Sequence, residues 1–335
     1  MSPPERAAAV VAGGSAGIGR AVARELARRG WKVAVLARGE SRLRAAEAEL
    51  SELGPASDGP NALGLVCDVG DAAAVEAAAE RAEAELGPLT VWVNSAMLTA
   101  YSRFHELAPE NFERIVAATL IGQANGVRAA LKRMRARGRP ARIVCIGSGL
   151  GYRSIPLQSA YCAAKHGVNG LAASVRCELL AERSPVTISL VQLPGVNTPQ
   201  FTWAENKMDE MPQPAPPVYA PEVAARGVMR AVDGGAREIL VGRPVLQLIG
   251  GQLLFPDRLD RKLARDGFRM QKSGEPDPED RPDNLAGPVD LDVAADGRYG
   301  DMAEGGGWIV DGDRARLGLI ALIGGAGFLL GLLAG

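Results

Sequence analysis

Three side chains suited to acid–base chemistry lie near one another in the middle of the chain. Tyr161 and Lys165 are four residues apart, a spacing that puts both on one face of a helix. Ser148 follows an upstream apolar stretch of strand length. A cation beside a phenol favours the phenolate and lowers the pKa of the tyrosine. We therefore predict that the three residues move a proton to or from a carbinol oxygen. The alternative for the pair alone is a half-buried tyrosine beside a solvated lysine.

A glycine-rich turn follows the first apolar stretch of the chain. Gly13, Gly17 and Gly19 form the pattern G-x-x-x-G-x-G, and an amphipathic helical pattern follows. Strand, glycine turn and helix together are typical of a dinucleotide site, because glycine lets the backbone approach a pyrophosphate and the helix start offers free N–H groups. The alternative is a glycine turn that binds no cofactor.

The end of the second predicted strand indicates which dinucleotide is bound. An acid there accepts from the ribose 2′-hydroxyl of NAD, whereas an arginine accommodates the 2′-phosphate of NADP. Arg38 occupies this position, so NADP (NADPH) is the predicted cofactor and NAD is expected to bind less well. Alternatively, Arg42 or Arg44 contacts the phosphate and Arg38 is an exposed arginine.

These motifs together resemble the short-chain dehydrogenase/reductase family, over about residues 5–245. The matching segments are 12–19 for the glycine turn, 67–69 for the Asp-Val after the third strand, 94–97 for N-N-A-G and 146–148 for the serine strand. Residues 194–198 resemble P-G-x-x-x-T, with Thr198 one place earlier than that spacing predicts. The resemblance implies an NADP-dependent oxidoreductase that interconverts an alcohol and a ketone or aldehyde. Ser148, Tyr161 and Lys165 would then be the catalytic triad.

The resemblance and the glycine turn also imply a set of cofactor-binding residues. Asp68 would contact the adenine, Lys165 the nicotinamide ribose and Thr198 the nicotinamide carboxamide. The full set is Gly13, Ser15, Gly17, Ile18, Gly19, Arg38, Asp68, Val69, Asn94, Ala96, Tyr161, Lys165, Pro194, Gly195, Val196 and Thr198.

The chain departs from the family pattern at three positions that bear on function. Ser95 and Met97 replace residues of N-N-A-G, and Thr119 stands where the family often has a catalytic asparagine. We predict that Thr119 takes part in catalysis by holding a water in place of that amide. The departures keep a non-catalytic NADP-binding sensor or membrane scaffold as the alternative function. An epimerase or dehydratase is disfavoured by the glycine spacing.

Alternating strand and helix patterns predict an α/β fold with a doubly wound parallel sheet, a Rossmann-like three-layer αβα sandwich. Strands are predicted over 7–12, 32–37, 63–67, 90–94, 141–147, 186–192 and 237–242. Helices are predicted over 18–29, 40–53, 72–86, 110–136, 159–182 and 221–233. The long stretch from 194 to 221 is expected to form a lid with an apolar wall of Phe201, Trp203 and Met208; an ordinary surface loop is the alternative.

Composition excludes several classes of function. A net charge of −1 gives no nucleic-acid footprint. With two histidines and four cysteines at no metal-binding spacing, no metal site is expected. The N-terminus shows no signal peptide, so a reducing compartment is expected. The resemblance also implies a small-molecule substrate and a homo-oligomer, a dimer or tetramer, paired through the two long helices.

The chain beyond residue 245 changes in character. Residues 246–271 are expected to form a helical extension, and residues 272–312, rich in Pro, Gly and Asp, a polar linker. Residues 316–335 are predicted to form a C-terminal transmembrane helix, because no charged side chain follows Arg316 and the length suits a bilayer. A single-pass membrane protein with a cytoplasmic catalytic domain and a lipophilic substrate follows. The alternative is a helix buried in the fold or against a dimer partner.

Overall fold

The fold is described from a computed structural model, which covers residues 7–55, 59–318 and 320–321. The strands are β1 (Ala8–Ala12), β2 (Lys32–Ala37), β3 (Ala62–Val66), β4 (Leu89–Asn94), β5 (Ala100–Tyr101), β6 (Ala141–Ile146), β7 (Val186–Gln192), β8 (Gly195–Val196), β9 (Glu205–Asn206), β10 (Glu210–Pro212), β11 (Val218–Tyr219), β12 (Glu238–Val241), β13 (Lys272–Pro276), β14 (Ala303–Glu304) and β15 (Ile309–Asp311).

The helices lie between these strands. They are α1 (Gly17–Arg28), α2 (Glu40–Leu53), α3 (Ala72–Leu86), α4 (Pro109–Val116), α5 (Gly122–Ala136), α6 (Ser159–Ala181), α7 (Gln200–Trp203), α8 (Pro221–Gly234), α9 (Arg243–Leu254) and α10 (Pro256–Asp266). Short 3₁₀ turns occur at Phe104–Glu106, Gly149–Gly151, Arg269–Gln271 and Gly300–Met302.

One large sheet organises the described part of the chain. Its strand order is β15-β12-β7-β6-β4-β1-β2-β3, and all its pairs are parallel except β12 with β15. The central strands are runs of Ala, Val and Ile buried on both faces, as helices on either side of a parallel sheet require. The predicted Rossmann-like α/β sandwich is confirmed, and its strands end within a residue or so of the predicted limits.

The helices also follow the prediction, with one interruption. The helix predicted over 110–136 consists of α4 and α5, joined by a π-helical turn at Ala117–Ile121. A π turn inserts one residue into the helical repeat and is frequent at functional sites. It places Thr119 on the buried side of the helix, where no part of the side chain is exposed.

Residues 272–312 are packed against the catalytic domain, which corrects the prediction of a free linker. Leu285, Val289, Ala295 and Tyr299 are buried, and β15 extends the edge of the main sheet. The average composition of the segment is polar, but Leu285, Ala295 and Tyr299 belong to buried clusters that include residues of the domain. Backbone carbonyls of the segment provide further contacts, which composition does not reveal.

The predicted transmembrane helix lies mostly beyond the region that the structure describes. Residues 312–318 and 320–321 are helical, and Leu317 and Ile320 are exposed. Residues 319 and 322–335, which make up most of the predicted span, are outside the described residues. Within the described ranges, no helix combines the length and apolar character that a membrane crossing needs.

Candidate active site

A cavity of about 990 Å³ lies at the carboxyl ends of the central strands. It is lined by nearly all of the predicted site residues: Gly13, Ser15, Gly17, Ile18, Gly19, Arg38, Asp68, Val69, Ala96, Ser148, Tyr161, Lys165, Pro194, Gly195, Val196 and Thr198. This is the edge of a doubly wound sheet at which ligands bind, because the chain reverses there and leaves a crevice.

Ser148, Tyr161 and Lys165 come together in this cavity. Ser148 follows β6 and starts a 3₁₀ turn, and its Oγ accepts a hydrogen bond from the Leu150 N–H at 3.1 Å. Tyr161, near the start of α6, lines the same cavity. Lys165 follows one turn later on α6, is almost wholly buried, and donates through Nζ to the Ile146 carbonyl at 2.7 Å.

The surroundings shift the pKa values of the tyrosine and lysine in opposite directions. Removal from solvent raises the pKa of Tyr161 above its ordinary value, and the Ser148 hydroxyl partly opposes this. Burial lowers the pKa of Lys165 to about 8. The sequence predicts a lowered pKa for Tyr161 instead. The difference arises because burial of the phenol, which the spacing of the two residues does not reveal, has the largest effect on its pKa.

The glycine turn has the shape that a dinucleotide requires. Gly13 and Gly17 have φ values of +81° and +58°, which side chains rarely adopt. A Cβ on Gly13 would lie 2.5 Å from the Ala96 backbone nitrogen, and one on Gly19 would lie 2.0 Å from the Gly13 carbonyl oxygen. The N-terminus of α1 has no side-chain cap and no acid in its first turn. These features fit a bound pyrophosphate.

Two predicted site residues do not line the cavity. The Asn94 amide lies behind the cavity wall, where its Oδ1 accepts from Trp92 Nε1 at 2.9 Å. The Thr119 hydroxyl accepts from the Leu98 N–H at 3.0 Å and donates to the Leu98 carbonyl at 3.1 Å. With both bonds directed to one backbone, Thr119 fixes the loop that carries Leu98 and does not face the cavity as the predicted water-holding residue would.

The three candidate arginines for a 2′-phosphate occupy different environments. Arg38 and Arg42 line the cavity. Arg44 points to solvent, where it forms an ion pair with Glu40 one turn earlier. Arg38 and Arg42 therefore remain candidates for contact with the 2′-phosphate, and Arg44 does not.

Apolar side chains form the wall opposite the triad. Phe201 and Trp203 belong to α7 in the predicted lid, and both line the cavity, whereas Met208 packs behind it against Phe201. The sequence analysis missed the contribution of the C-terminal helices, from which Leu248, Leu259 and Leu263 reach the cavity. Their apolar spacing predicted helices, but nothing in it indicated a role at the site.

Residues 284–288 are a second contribution that was missed. Asn284, Leu285, Ala286 and Pro288 line the cavity beside Arg38, although the segment reads as linker. Gln158 and Gln271 were missed as well. The Gln158 amide donates to Gln271 Oε1 at 2.8 Å, and this bond ties the start of α6 to the end of the helical extension.

Comparison with known proteins agrees with this geometry. The family profile described as "short chain dehydrogenase" matches residues 7–209. The chain is 30% identical over 268 residues to the uncharacterized oxidoreductase YxnA of Bacillus subtilis (strain 168), covering 80% of this chain and 74% of that protein.

Two further relatives carry more specific names. The 3-oxoacyl-[acyl-carrier-protein] reductase MabA of Mycobacterium tuberculosis is 36% identical over 183 residues, covering 54% of this chain and 66% of MabA. The 3-ketodihydrosphingosine reductase of Bos taurus is 31% identical over 193 residues, covering 57% of each chain. The chain therefore belongs to the short-chain dehydrogenase family of oxidoreductases.

Proposed function

We propose that the protein is an NADP-dependent oxidoreductase that interconverts an alcohol and a ketone through Ser148, Tyr161 and Lys165, with a lipophilic substrate. The observation that carries this proposal is that Ser148 and Tyr161 both line a large cavity, with the buried Lys165 one helical turn from Tyr161 and its Nζ 5.5 Å from the centre of the Tyr161 ring. A bound nicotinamide dinucleotide supplies or accepts the hydride.

In the proposed reaction each residue of the triad has a separate task. Tyr161 donates a proton to the carbonyl oxygen during reduction, and its raised pKa keeps the phenol protonated at neutral pH. Ser148 donates a hydrogen bond to the same oxygen and stabilises the charge that develops there. Lys165, whose Nζ donates to the Ile146 carbonyl, provides a positive charge near the Tyr161 ring.

The chain offers a consistent set of contacts for the dinucleotide. The turn of Gly13, Gly17 and Gly19 would hold the pyrophosphate. Asp68, whose Oδ1 accepts from the Gly70 N–H at 2.9 Å, stands where the adenine would lie. The arginines at the end of β2 and the start of α2 favour NADP, because they bring positive charge without an acid for the ribose 2′-hydroxyl.

The apolar wall supports a lipophilic substrate. Leu248 of α9 and Leu259 and Leu263 of α10 add apolar side chains to the lining of the cavity. At the turn between α9 and α10, Leu253, Leu254 and Phe255 are exposed. Two relatives are named for reduction of 3-oxo or 3-keto compounds. We take a 3-oxo compound with a long acyl chain as the substrate class.

We also propose attachment to a membrane through the apolar residues 317–335. Arg316, immediately before them, pairs with buried Glu238 and with the Tyr152 hydroxyl, which holds Arg316 against the domain. Tyr152 adjoins Gln252, next to the exposed turn of α9 and α10. Fractionation tests this: the full chain should sediment with membranes and a chain shortened to residue 316 should not. Complete recovery of the full chain in the soluble fraction would refute attachment.

Pairing of two copies through α5 and α6 is proposed as the oligomeric form. Leu180 on α6 and Ile121, immediately before α5, are exposed apolar side chains that could take part in such pairing. Light scattering on the purified protein measures the mass directly. A Leu180→Glu variant should shift a dimer or tetramer towards the monomer, and a monomeric wild type would contradict the proposal.

Turnover is tested with the full chain in mild detergent. NADPH oxidation is followed with 3-oxoacyl thioesters of increasing chain length and with short ketones as controls. We expect turnover to increase with chain length and to be lost in Tyr161→Phe. Absence of NADPH oxidation with every carbonyl would refute the proposed reaction.

A second candidate function is a non-catalytic NADP-binding sensor. The observation that favours it is the Thr119 hydroxyl, which is committed to Leu98 and leaves the position without a group facing the cavity. A sensor would bind NADPH tightly without oxidising it against any carbonyl, and Tyr161→Phe would leave its behaviour unchanged.

A further inference from the structure

A strap formed by residues 281–299 crosses the dinucleotide cleft. It starts at the lid, where the Asn284 N–H donates to the Trp203 carbonyl at 2.9 Å. It then reaches the glycine turn, where the Gly17 N–H donates to the Ala294 carbonyl at 2.9 Å. It returns to the lid at Tyr299, whose N–H donates to Asn197 Oδ1 at 2.9 Å. The strap therefore passes over the glycine turn, and its residues 284–286 and 288 line the cavity that Arg38 also lines.

Arg38 holds the middle of this strap. Its Nη2 donates to the carbonyls of Asn284 and Gly287, and its Nη1 donates to the carbonyl of Leu285 at 3.4 Å. Leu285 is buried in a cluster with Leu98 and Ile115, which anchors the strap from its other side. Both terminal nitrogens of Arg38 therefore donate to backbone oxygens of the strap, which leaves them poorly placed to bind a phosphate.

Arg42, which also lines the cavity, has donors that lack acceptors within the described part of the chain. Its Nε and Nη1 are buried and have no hydrogen-bond partner among the described residues. The guanidinium stacks on the Trp203 ring at 4.9 Å from the ring centre. Stacking uses the face of the guanidinium and leaves its in-plane N–H groups available, and those are the groups that bind a phosphate.

The position of Arg42 also suits an anion. It lies in the first turn of α2, whose N-terminus has no side-chain cap and whose one first-turn acid, Glu40, is paired with Arg44. Peptide dipoles and free N–H groups favour negative charge there. Asp290 of the strap also acts on Arg42, but its carboxylate is held by the Ser41 hydroxyl.

We propose that Arg42 is the residue that selects a dinucleotide with a 2′-phosphate. Arg38 instead holds the strap, through its hydrogen bonds to the strap carbonyls, in a position closed over either dinucleotide. The inference rests on the proposed function, because it assumes that the cavity binds NADP. From its position at the strand end, Arg38 alone would be expected to bind the 2′-phosphate. The inference instead assigns phosphate binding to Arg42 and closure of the strap to Arg38. Both dinucleotides enter and leave when the strap opens, but only the phosphorylated one uses Arg42.

Binding measurements separate the two roles. NADPH and NADH are titrated by fluorescence against the full chain in mild detergent, together with adenosine 2′,5′-bisphosphate and AMP by calorimetry. Arg42→Ala should weaken the binding of NADPH and of the bisphosphate by about 10- to 100-fold, the effect expected when hydrogen bonds to a charged group are lost. The affinities for NADH and AMP should change by no more than about twofold. Arg42→Lys should recover part of the loss.

Arg38→Ala should give a different pattern. NADPH and NADH should weaken by the same factor, both should dissociate faster, and the strap around 281–299 should become sensitive to protease. Arg44→Ala is the matched control, since Arg44 is on the same helix and exposed, and it should change none of these quantities. Circular dichroism confirms that each variant folds.

The outcomes distinguish the inference from the function on which it rests. Selective loss of NADPH in Arg38→Ala, or equal loss of both dinucleotides in Arg42→Ala, would overturn the inference while leaving the proposed cofactor intact. A wild type that binds NADH as tightly as NADPH would overturn the cofactor preference and the inference with it. Loss of turnover alone, with the binding pattern as expected, would refute only the proposed reaction.

Discussion

The Nζ atom of Lys165 lies 5.5 Å from the centre of the Tyr161 ring and donates its short hydrogen bond elsewhere, to the Ile146 carbonyl. The lysine can therefore act on the phenol through its charge, without sharing a proton with it directly. A charge in a buried site acts strongly because little water screens it. The effect lasts only while the ammonium keeps its proton.

Carbonyl reduction should therefore slow as pH rises through about 8, the pKa to which burial lowers Lys165. The ammonium is charged below this pH and neutral above it. The raised pKa of Tyr161 leaves the phenol protonated over the same range, so it cannot cause the decline. The measurement is kcat/KM for reduction from pH 6 to 9.5. The kcat/KM of Lys165→Arg should stay constant to high pH, because arginine keeps its proton. A wild-type kcat/KM that does not change with pH would contradict the assignment of the decline to Lys165.

Ser148→Ala should reduce kcat by about 10²–10³, the typical effect of removing one donor to a developing oxyanion. It also removes the hydroxyl that lowers the pKa of Tyr161, so the phenol should become a weaker acid. NADPH binding should be unchanged, because the hydroxyl serves the substrate oxygen. Ser148→Thr keeps a hydroxyl and should retain more activity. Equal kcat in the alanine variant and the wild type would exclude a catalytic role for Ser148.

Gly19→Ala should abolish dinucleotide binding, measured by NADPH fluorescence. The new methyl would stand 2.0 Å from the Gly13 carbonyl oxygen, so the turn must open to admit it. Gly170→Ala is the control, because a Cβ there meets nothing within 4 Å and lies within α6. That substitution should stabilise the fold by about 0.5–1 kcal/mol, since alanine is the better helix former. Normal NADPH affinity in Gly19→Ala would show that the turn is not the pyrophosphate site.

Thr119→Val should lower the free energy of unfolding by about 2–4 kcal/mol, because the Leu98 N–H and carbonyl would both lose their buried partner. Denaturant unfolding measures this, and Thr119→Ser should restore most of it. Activity should follow stability across the two variants, as expected for a residue that positions a loop. A valine variant of normal stability with a large loss of kcat would support the water relay that the sequence predicts.

The sheet could be predicted from the sequence because each central strand is a short, mostly apolar run rich in aliphatic residues. The triad and the glycine turn were also predictable, since their spacing follows from helical periodicity and from the backbone freedom of glycine. Asn94 illustrates the limit. Its position at the end of β4 could be predicted, but its side chain could face the cavity or Trp92, and only packing decides between them.

The strap could not be predicted for a different reason. Its contacts with Arg38 and Gly17 are made through backbone carbonyls of Asn284 and Ala294, which every residue possesses. A segment that is held through its backbone carbonyls needs few apolar side chains. Its polar composition therefore predicts a linker even though it is packed against the domain. The interruption of the long helix at Ala117–Ile121 was missed because the apolar spacing continues through the π turn.

The antiparallel strand β15 has a consequence for how the protein is made. Strands β1 to β12 are synthesised before it, and domains begin to fold from the N-terminal side during synthesis. The edge of β12 and the cleft under the strap therefore stay open until residues 281–311 have emerged from the ribosome. A nascent chain can build its glycine turn and triad early, yet it cannot enclose a nucleotide until almost the last described residues are in place.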